Sequence, residues 1–101
     1  MDVPTSHEGG IGHEEDGHRG AFVYARDGRR LATLTYSRAN AGLVIIDHTE
    51  VDRSVGGQGI GRRLLDAAVA WAREARVKVV ATCPFASAQF AKDPAIRDVL
   101  A

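Results

Sequence analysis

A mixed α/β fold is predicted from three observations. Short β-type runs separated by turn residues fill the first half of the chain, an amphipathic helical stretch follows a glycine-rich loop, and a buried-type strand comes directly after that helix. The opening residues, 1–19, hold three of the four histidines (His7, His13, His18), several glycines and the Glu14-Glu15-Asp16 cluster, with little to bury. They read as a flexible N-terminal tail preceding a domain over 20–101. Within that domain Ala21 to Arg26 and Arg30 to Tyr36 are β-type runs joined by Asp27-Gly28, a strong hairpin signal. A third run, Leu43 to Val51, follows the Ala39-Asn40-Ala41-Gly42 turn, so three antiparallel strands are expected. Ile60, Leu64, Ala68, Trp71 and Ala75 then recur at helical spacing while Arg62, Arg63, Asp66, Arg73 and Glu74 fall largely elsewhere. This gives one buried stripe and one wet face. Val77 to Thr82 reads as a buried strand, and strand, helix and strand this close in sequence imply a right-handed parallel crossover. Helical stretches at Ser87 to Lys92 and Ala95 to Leu100, broken by Asp93-Pro94, close the chain.

With 101 residues and 45% hydrophobic content the chain is sized for one domain and one core. Lys and Arg total 13, as do Asp and Glu, so no global field draws nucleic acid or an anionic membrane and only a local basic patch can matter. The single cysteine, Cys83, has no internal disulfide partner. No secretory leader is apparent, and no run approaches the ~20 apolar residues of a membrane span. A soluble cytoplasmic protein is the expectation. The tail histidines have no spacing that closes a metal site, so no metal is expected.

Chemistry concentrates at Val51 to Leu65, where Gly56, Gly57, Gly59 and Gly61 fall within six positions between a β-branched run and the helix. Residues without Cβ let the backbone approach a ligand, and the first N–H groups of a helix have no partner in that helix, so this junction is an anion cradle. From Gly56 the spacing to Gly61 fits a Walker A loop, but Arg62 and Arg63 stand where the lysine and the Mg²⁺-binding hydroxyl belong. A dinucleotide fingerprint beginning at Gly57 needs glycine where Arg62 sits, and no acidic residue closes the next strand.

What remains, Gly56-Gly57-Gln58-Gly59-Ile60-Gly61, resembles the pyrophosphate loop of the GNAT acetyltransferase superfamily, Gln/Arg-x-x-Gly-x-Gly/Ala. Gly56 occupies the place of the usual Arg or Gln, which removes a side-chain contact but leaves the backbone donors. His48-Thr49-Glu50-Val51, Thr82-Cys83-Pro84-Phe85 and Lys92-Asp93-Pro94 extend the likeness to the small single-domain GNAT-like proteins, from about Gly20 to the C-terminus. The resemblance implies splayed parallel strands on either side of the loop, with the pantetheine arm between them. It also implies acetyl-CoA as co-substrate, bound across Val51, Gly56, Gly57, Gln58, Gly59, Ile60, Gly61 and Arg62, and acetyl transfer to a small amine or lysine-containing acceptor. The acceptor and the oligomeric state stay open.

By period-two alternation His48 shares a face with Val44, Ile46 and Glu50. It reads either as a general base, with an ordinary pKa near ~6.5, or as a partly buried histidine bonded to a neighbour; the resemblance favours the base. Cys83, at a strand end before Pro84, reads as an inert buried thiol or as a nucleophile. The resemblance puts it in the active site, and the crossover is expected to bring the strand of His48 alongside. Two mechanisms follow: an acetyl-cysteine intermediate, or direct attack by an amine deprotonated at His48. Arg62 and Arg63 could neutralise phosphate or form a solvated helix face with an Arg62/Asp66 pair. Trp71 and Phe90 read as core and Phe85 as core or acyl-pocket lining, while Asp47 and Glu50 could assist the base. Two rivals remain, a CoA-binding module without catalysis and a plain interaction domain whose glycine loop is only a turn.

Overall fold

The computed structural model describes residues 10–101. Five strands form one sheet in the order β1 (Ile11–Asp16), β2 (Arg19–Arg26), β3 (Arg29–Asn40), β4 (Leu43–Val51) and β5 (Lys78–Ala81). The first four are antiparallel, and β5 joins β4 in parallel. Helix α1 (Ile60–Ala75) makes the crossover between β4 and β5, and helix α2 (Pro84–Lys92) and a 3-10 stretch at Pro94–Val99 follow. This is the mixed α/β architecture expected.

Local chemistry sets each junction. Asp27 and Gly28 both have positive φ (53° and 77°), as a two-residue turn between right-twisted strands requires. The β3 to β4 turn is closed by the Gly42 N–H donating to Asn40 Oδ1 at 2.8 Å. At the C-terminus of α1, Arg76 takes a left-handed conformation and donates its N–H to the Ala72 and Arg73 carbonyls, which ends the helix and starts β5. The inner stripe of α1, Leu64, Leu65, Ala68, Val69 and Ala72, packs with Phe22, Leu34, Tyr36, Val44 and Ile46 into one core. Ala86 and Phe90 of α2, then Ile96 and Val99, extend the same core.

Two expectations are corrected. The flexible tail expected over 1–19 does not extend through Ile11 to Asp16, which is a strand in full register with β2. Residues 1–9, including His7, lie outside the described residues. The strand escapes notice in the sequence because it packs a half-buried imidazole where an aliphatic residue would have announced it. His13 stacks on Phe22 at 4.2 Å and meets the Tyr36 hydroxyl at 2.7 Å. Its acidic neighbours are paired as well, Glu15 with Arg38 and Tyr36, and Glu14 with Arg30. Gly20, read as the edge of the domain, is a notch in β2: a Cβ there would lie 2.2 Å from Tyr36 Cζ.

The second correction concerns His48. Thr35 pairs with His48 but Tyr36 pairs with Ile46, so Asp47 is an extra residue, a β-bulge. Val44 and Ile46 face the core; beyond the bulge the core side passes to Thr49 and Val51, opposite Leu34 and Ala32. His48 and Glu50, opposite Thr35 and Thr33, lie on the other face and do not share the side of Val44 and Ile46. That face is polar and self-paired: Asp47 accepts from Thr35 (2.6 Å) and Ser37 (3.2 Å), and Arg19 donates to Ser37 (2.9 Å).

Candidate acetyl-CoA site

Between β4 and α1 the chain makes a 3-10 turn at Arg53–Val55, capped by Asp52, which accepts the Ser54 N–H (2.9 Å) and hydroxyl (2.7 Å). Buried Val55 pins this turn to the core. Gly57 and Gly59 then adopt φ of +78° and +75°, a region costly for residues bearing Cβ. A Cβ at either would meet no atom within 4 Å, so the loop stands open on that side. Among the described residues no side chain caps α1, and its first main-chain bond is donated by Arg63 to the Gly59 carbonyl at 3.1 Å. The N–H groups of Ile60, Gly61 and Arg62 are therefore left for an anion or solvent. Gly61 also lets Phe85 approach: a Cβ there would stand 3.2 Å from the Phe85 ring.

The neighbouring strands part beside this cradle. Pairing of β4 with β5 ends at Ile46 opposite Ala81, and the Ile46 carbonyl accepts the N–H groups of Thr82 (2.9 Å) and Cys83 (3.4 Å). β4 continues to Val51 against β3, whereas the segment after β5 turns into α2 at Pro84. Over residues 48–51 the outer edge of β4 thus has no strand partner among the described residues, and its amide groups are available to an extended, amide-containing ligand.

Two candidate chemical groups flank the opening from opposite faces. Cys83 is buried and is the N-cap of α2: its Sγ accepts the Ala86 N–H at 3.4 Å and lies 3.3 Å from Thr49 Oγ1. His48 is exposed, with Nε2 3.9 Å from Glu50 Oε1. The expected approach of imidazole to thiol is not found, because the Asp47 bulge turns His48 away and presents Thr49 to Cys83 instead. Sequence reasoning missed Thr49 for this reason; Glu50, two residues along the same strand, was identifiable as a neighbour of His48.

The remaining candidates divide clearly. Arg62 does not direct its guanidinium at the cradle. It bonds Asp66 (2.8 Å), Gln89 (2.9 Å) and Asp93, clamping the first turn of α1 to the end of α2. Its partner Asp93 is held below the ordinary carboxyl range by Arg62 and by the Ala95 N–H. Arg63 places its guanidinium over the Tyr24 ring. Gln58 is exposed at the loop tip, whereas Ile60 is buried and Val51 half-buried, so the latter two can offer only main-chain groups. Phe90 is core, and Trp71 stacks on Tyr36 at 5.1 Å. Among the described residues no group of three or more His, Cys, Asp or Glu could hold a metal ion, and no helix is long and apolar enough to cross a membrane.

Residues 21–99 match the family model for the GCN5-related N-acetyl-transferases. The chain is similar to the solution NMR structure of a GCN5-like protein of Staphylococcus aureus, a candidate N-acetyltransferase, at 34% identity. That match covers 88% of this chain and 86% of the other, with a TM-score of 0.69. Ribosomal-protein-alanine N-acetyltransferase of Brucella melitensis biovar Abortus is similar in fold at 22% identity, covering 69% and 53% of the two chains with a TM-score of 0.59. A GNAT family acetyltransferase of Elizabethkingia anophelis with acetyl-CoA bound is similar at 17% identity, covering 63% and 42% with a TM-score of 0.56. The chain thus spans about half of those two larger enzymes. No curated protein matches it.

Proposed function

This chain belongs to the GCN5-related N-acetyltransferase family, and from that premise we propose that it transfers acetyl from acetyl-CoA to a primary amine. The observation that carries this reading is the open glycine cradle at the head of α1 set beside the edge of β4 that has no strand partner among the described residues. The pyrophosphate takes the free N–H groups of Ile60, Gly61 and Arg62, and the amides of the pantetheine arm lie along residues 48–51. The thioester then falls at the bulge, where a β4 main-chain N–H polarises its carbonyl. An amine approaching from the polar face attacks the carbonyl carbon as His48 takes its proton. The new C–N bond forms, the C–S bond breaks, and CoA leaves with the sulfur electron pair.

A second route is favoured by one observation, the position of Cys83 Sγ beside the same strand opening with Thr49 against it. There the sulfur attacks the thioester, CoA departs with the thiol proton, and the amine then releases acetyl from Cys83. A reducing, cytoplasmic setting accords with either route.

The test incubates the full chain with acetyl-CoA and a panel of amines and lysine peptides, following CoA release and intact protein mass. Release above buffer that falls about 10²–10⁴-fold in His48→Ala supports general-base transfer. A mass gain of one acetyl group that feeds product, and is lost with activity in Cys83→Ala, supports the covalent route. Binding without release would identify a CoA-binding module. Absence of any thermal shift with millimolar CoA would reduce the loop to a turn, because ligand at ~100 times its Kd adds about 2.7 kcal/mol of stability.

A further inference from the structure

A groove of about 320 Å³ opens between β1 and α1, on the sheet edge opposite β5. His13, Phe22, Ala67, Ala70, Trp71 and Glu74 line it. We propose that this groove binds a small primary organic ammonium ion, at a site separate from acetyl transfer.

The walls are ring surfaces. His13 lies flat on Phe22 and meets Trp71 edge-on at 5.0 Å, while Ala67 and Ala70 keep the helix side shallow. Aromatic faces attract cations, and this cluster already holds one: the Arg38 guanidinium lies 5.5 Å from the Trp71 ring centre. That charge is balanced by Glu15, 2.8 Å from Arg38 Nε.

Two acceptors on groove-lining residues have no partner among the described residues. Tyr36 has a single hydroxyl proton, and it donates to Glu15 at 2.8 Å. The 2.7 Å bond between His13 Nε2 and the Tyr36 oxygen must then be donated by the imidazole, which leaves Nδ1 with a lone pair and no partner among the described residues. Glu74 makes no hydrogen bond or ion pair with any described residue. It also sits in the last turn of α1, where the helix dipole disfavours a carboxylate, so the helix itself gains nothing from it. An ammonium group offers three N–H donors and the charge that Glu74 lacks. Burial holds the His13 imidazole below its ordinary value, against the pull of Glu15 and with the push of Arg38, so that it is neutral and able to accept at pH 7. The groove volume lies at the small end of ligand pockets and suits a one-ring amine.

Trp71 is the only tryptophan, so its fluorescence reports the groove alone. Full-length protein is titrated with 2-phenylethylammonium and, separately, with the neutral 2-phenylethanol. The expected result is saturation at roughly millimolar ammonium, with the alcohol at least about tenfold weaker and Glu74→Gln weakening the ammonium about tenfold. Glu74→Gln keeps the wild-type melting temperature and the wild-type response to CoA. Equal affinity for amine and alcohol, no saturation, or an unchanged affinity in Glu74→Gln would overturn the proposal.

Discussion

Replacing Gly59 with valine separates the cost of folding the cradle from the loss of what it grips. Gly59 has φ +75°, and a Cβ there meets no atom within 4 Å, so the folding penalty is conformational and involves no clash. Left-handed backbone costs an L-residue ~1–2 kcal/mol, with a β-branched side chain at the upper end. In a domain of this size each kcal/mol moves Tm by ~4–8 °C, so a fall of about 8–16 °C is expected, within the reach of a typical ~5–15 kcal/mol stability. Binding falls further in proportion. Hydrogen bonds to a charged group contribute ~1.5–3 kcal/mol each, so loss of one main-chain donor to the pyrophosphate weakens acetyl-CoA about 10- to 150-fold. Isothermal titration with acetyl-CoA measures the second effect and differential scanning calorimetry the first. Gly20→Ala is the control: its Cβ would lie 2.2 Å from Tyr36 Cζ, far from the cradle, so it destabilises the fold while the folded fraction keeps wild-type affinity. Affinity within about twofold of wild type in Gly59→Val would refute the assignment of the cradle, since a single lost charged hydrogen bond exceeds that.

Three further outcomes are expected. Gly56 has an ordinary φ of −65°, and a Cβ there meets only the Arg53 carbonyl at 3.4 Å, so Gly56→Arg is tolerated. It should tighten acetyl-CoA by about fivefold, the value of one exposed charge-assisted contact of ~1 kcal/mol; equal affinity by titration would show that the side chain does not reach the phosphates. Arg62→Ala removes the clamp between α1 and α2 and should lower the urea midpoint by the equivalent of about 1–3 kcal/mol at constant m-value, whereas an unmoved midpoint would mark the clamp as idle. Stability should also fall below neutrality through His13. Its unfolded value is near ~6.5 and burial lowers the folded one, so between the two the unfolded chain binds more protons and acidification favours it. This contribution is complete above the unfolded value and lost as pH drops through the folded one; His13→Phe should abolish that slope, and an identical slope would assign it elsewhere.

Elements with a strong repeating pattern were legible. Leu43 to Val51 and Ile60 to Ala75 are legible with the bounds they have, because a β-branched run and a clean helical stripe announce them. The glycine loop was legible since positive φ at Gly57 and Gly59 demands that residue type. β1 was not, because an imidazole stacked on Phe22 and an acid held by Arg38 look, in sequence, like solvated polar residues. Nor was the facing of His48 and Cys83, which depends on one unpaired residue whose position is set by pairing between strands and leaves no mark in composition. For Arg62 the Asp66 pair is legible from its i,i+4 spacing and is present, whereas its other acceptors, Gln89 and Asp93, lie 27 and 31 positions away, beyond any local rule.

The extra residue at Asp47 gives the protein a chemical partition only one peptide unit wide. Thiol and imidazole stand on opposite sides of a single strand, so each can meet a different molecule without quenching the other. Were Asp47 to take Thr35 as its partner, the downstream half of the strand would slide by one place, delivering His48 to the side of Cys83 and Thr49 to the outside. One place in register thus separates two arrangements of the same side chains, a handle by which such a small scaffold could be re-tooled.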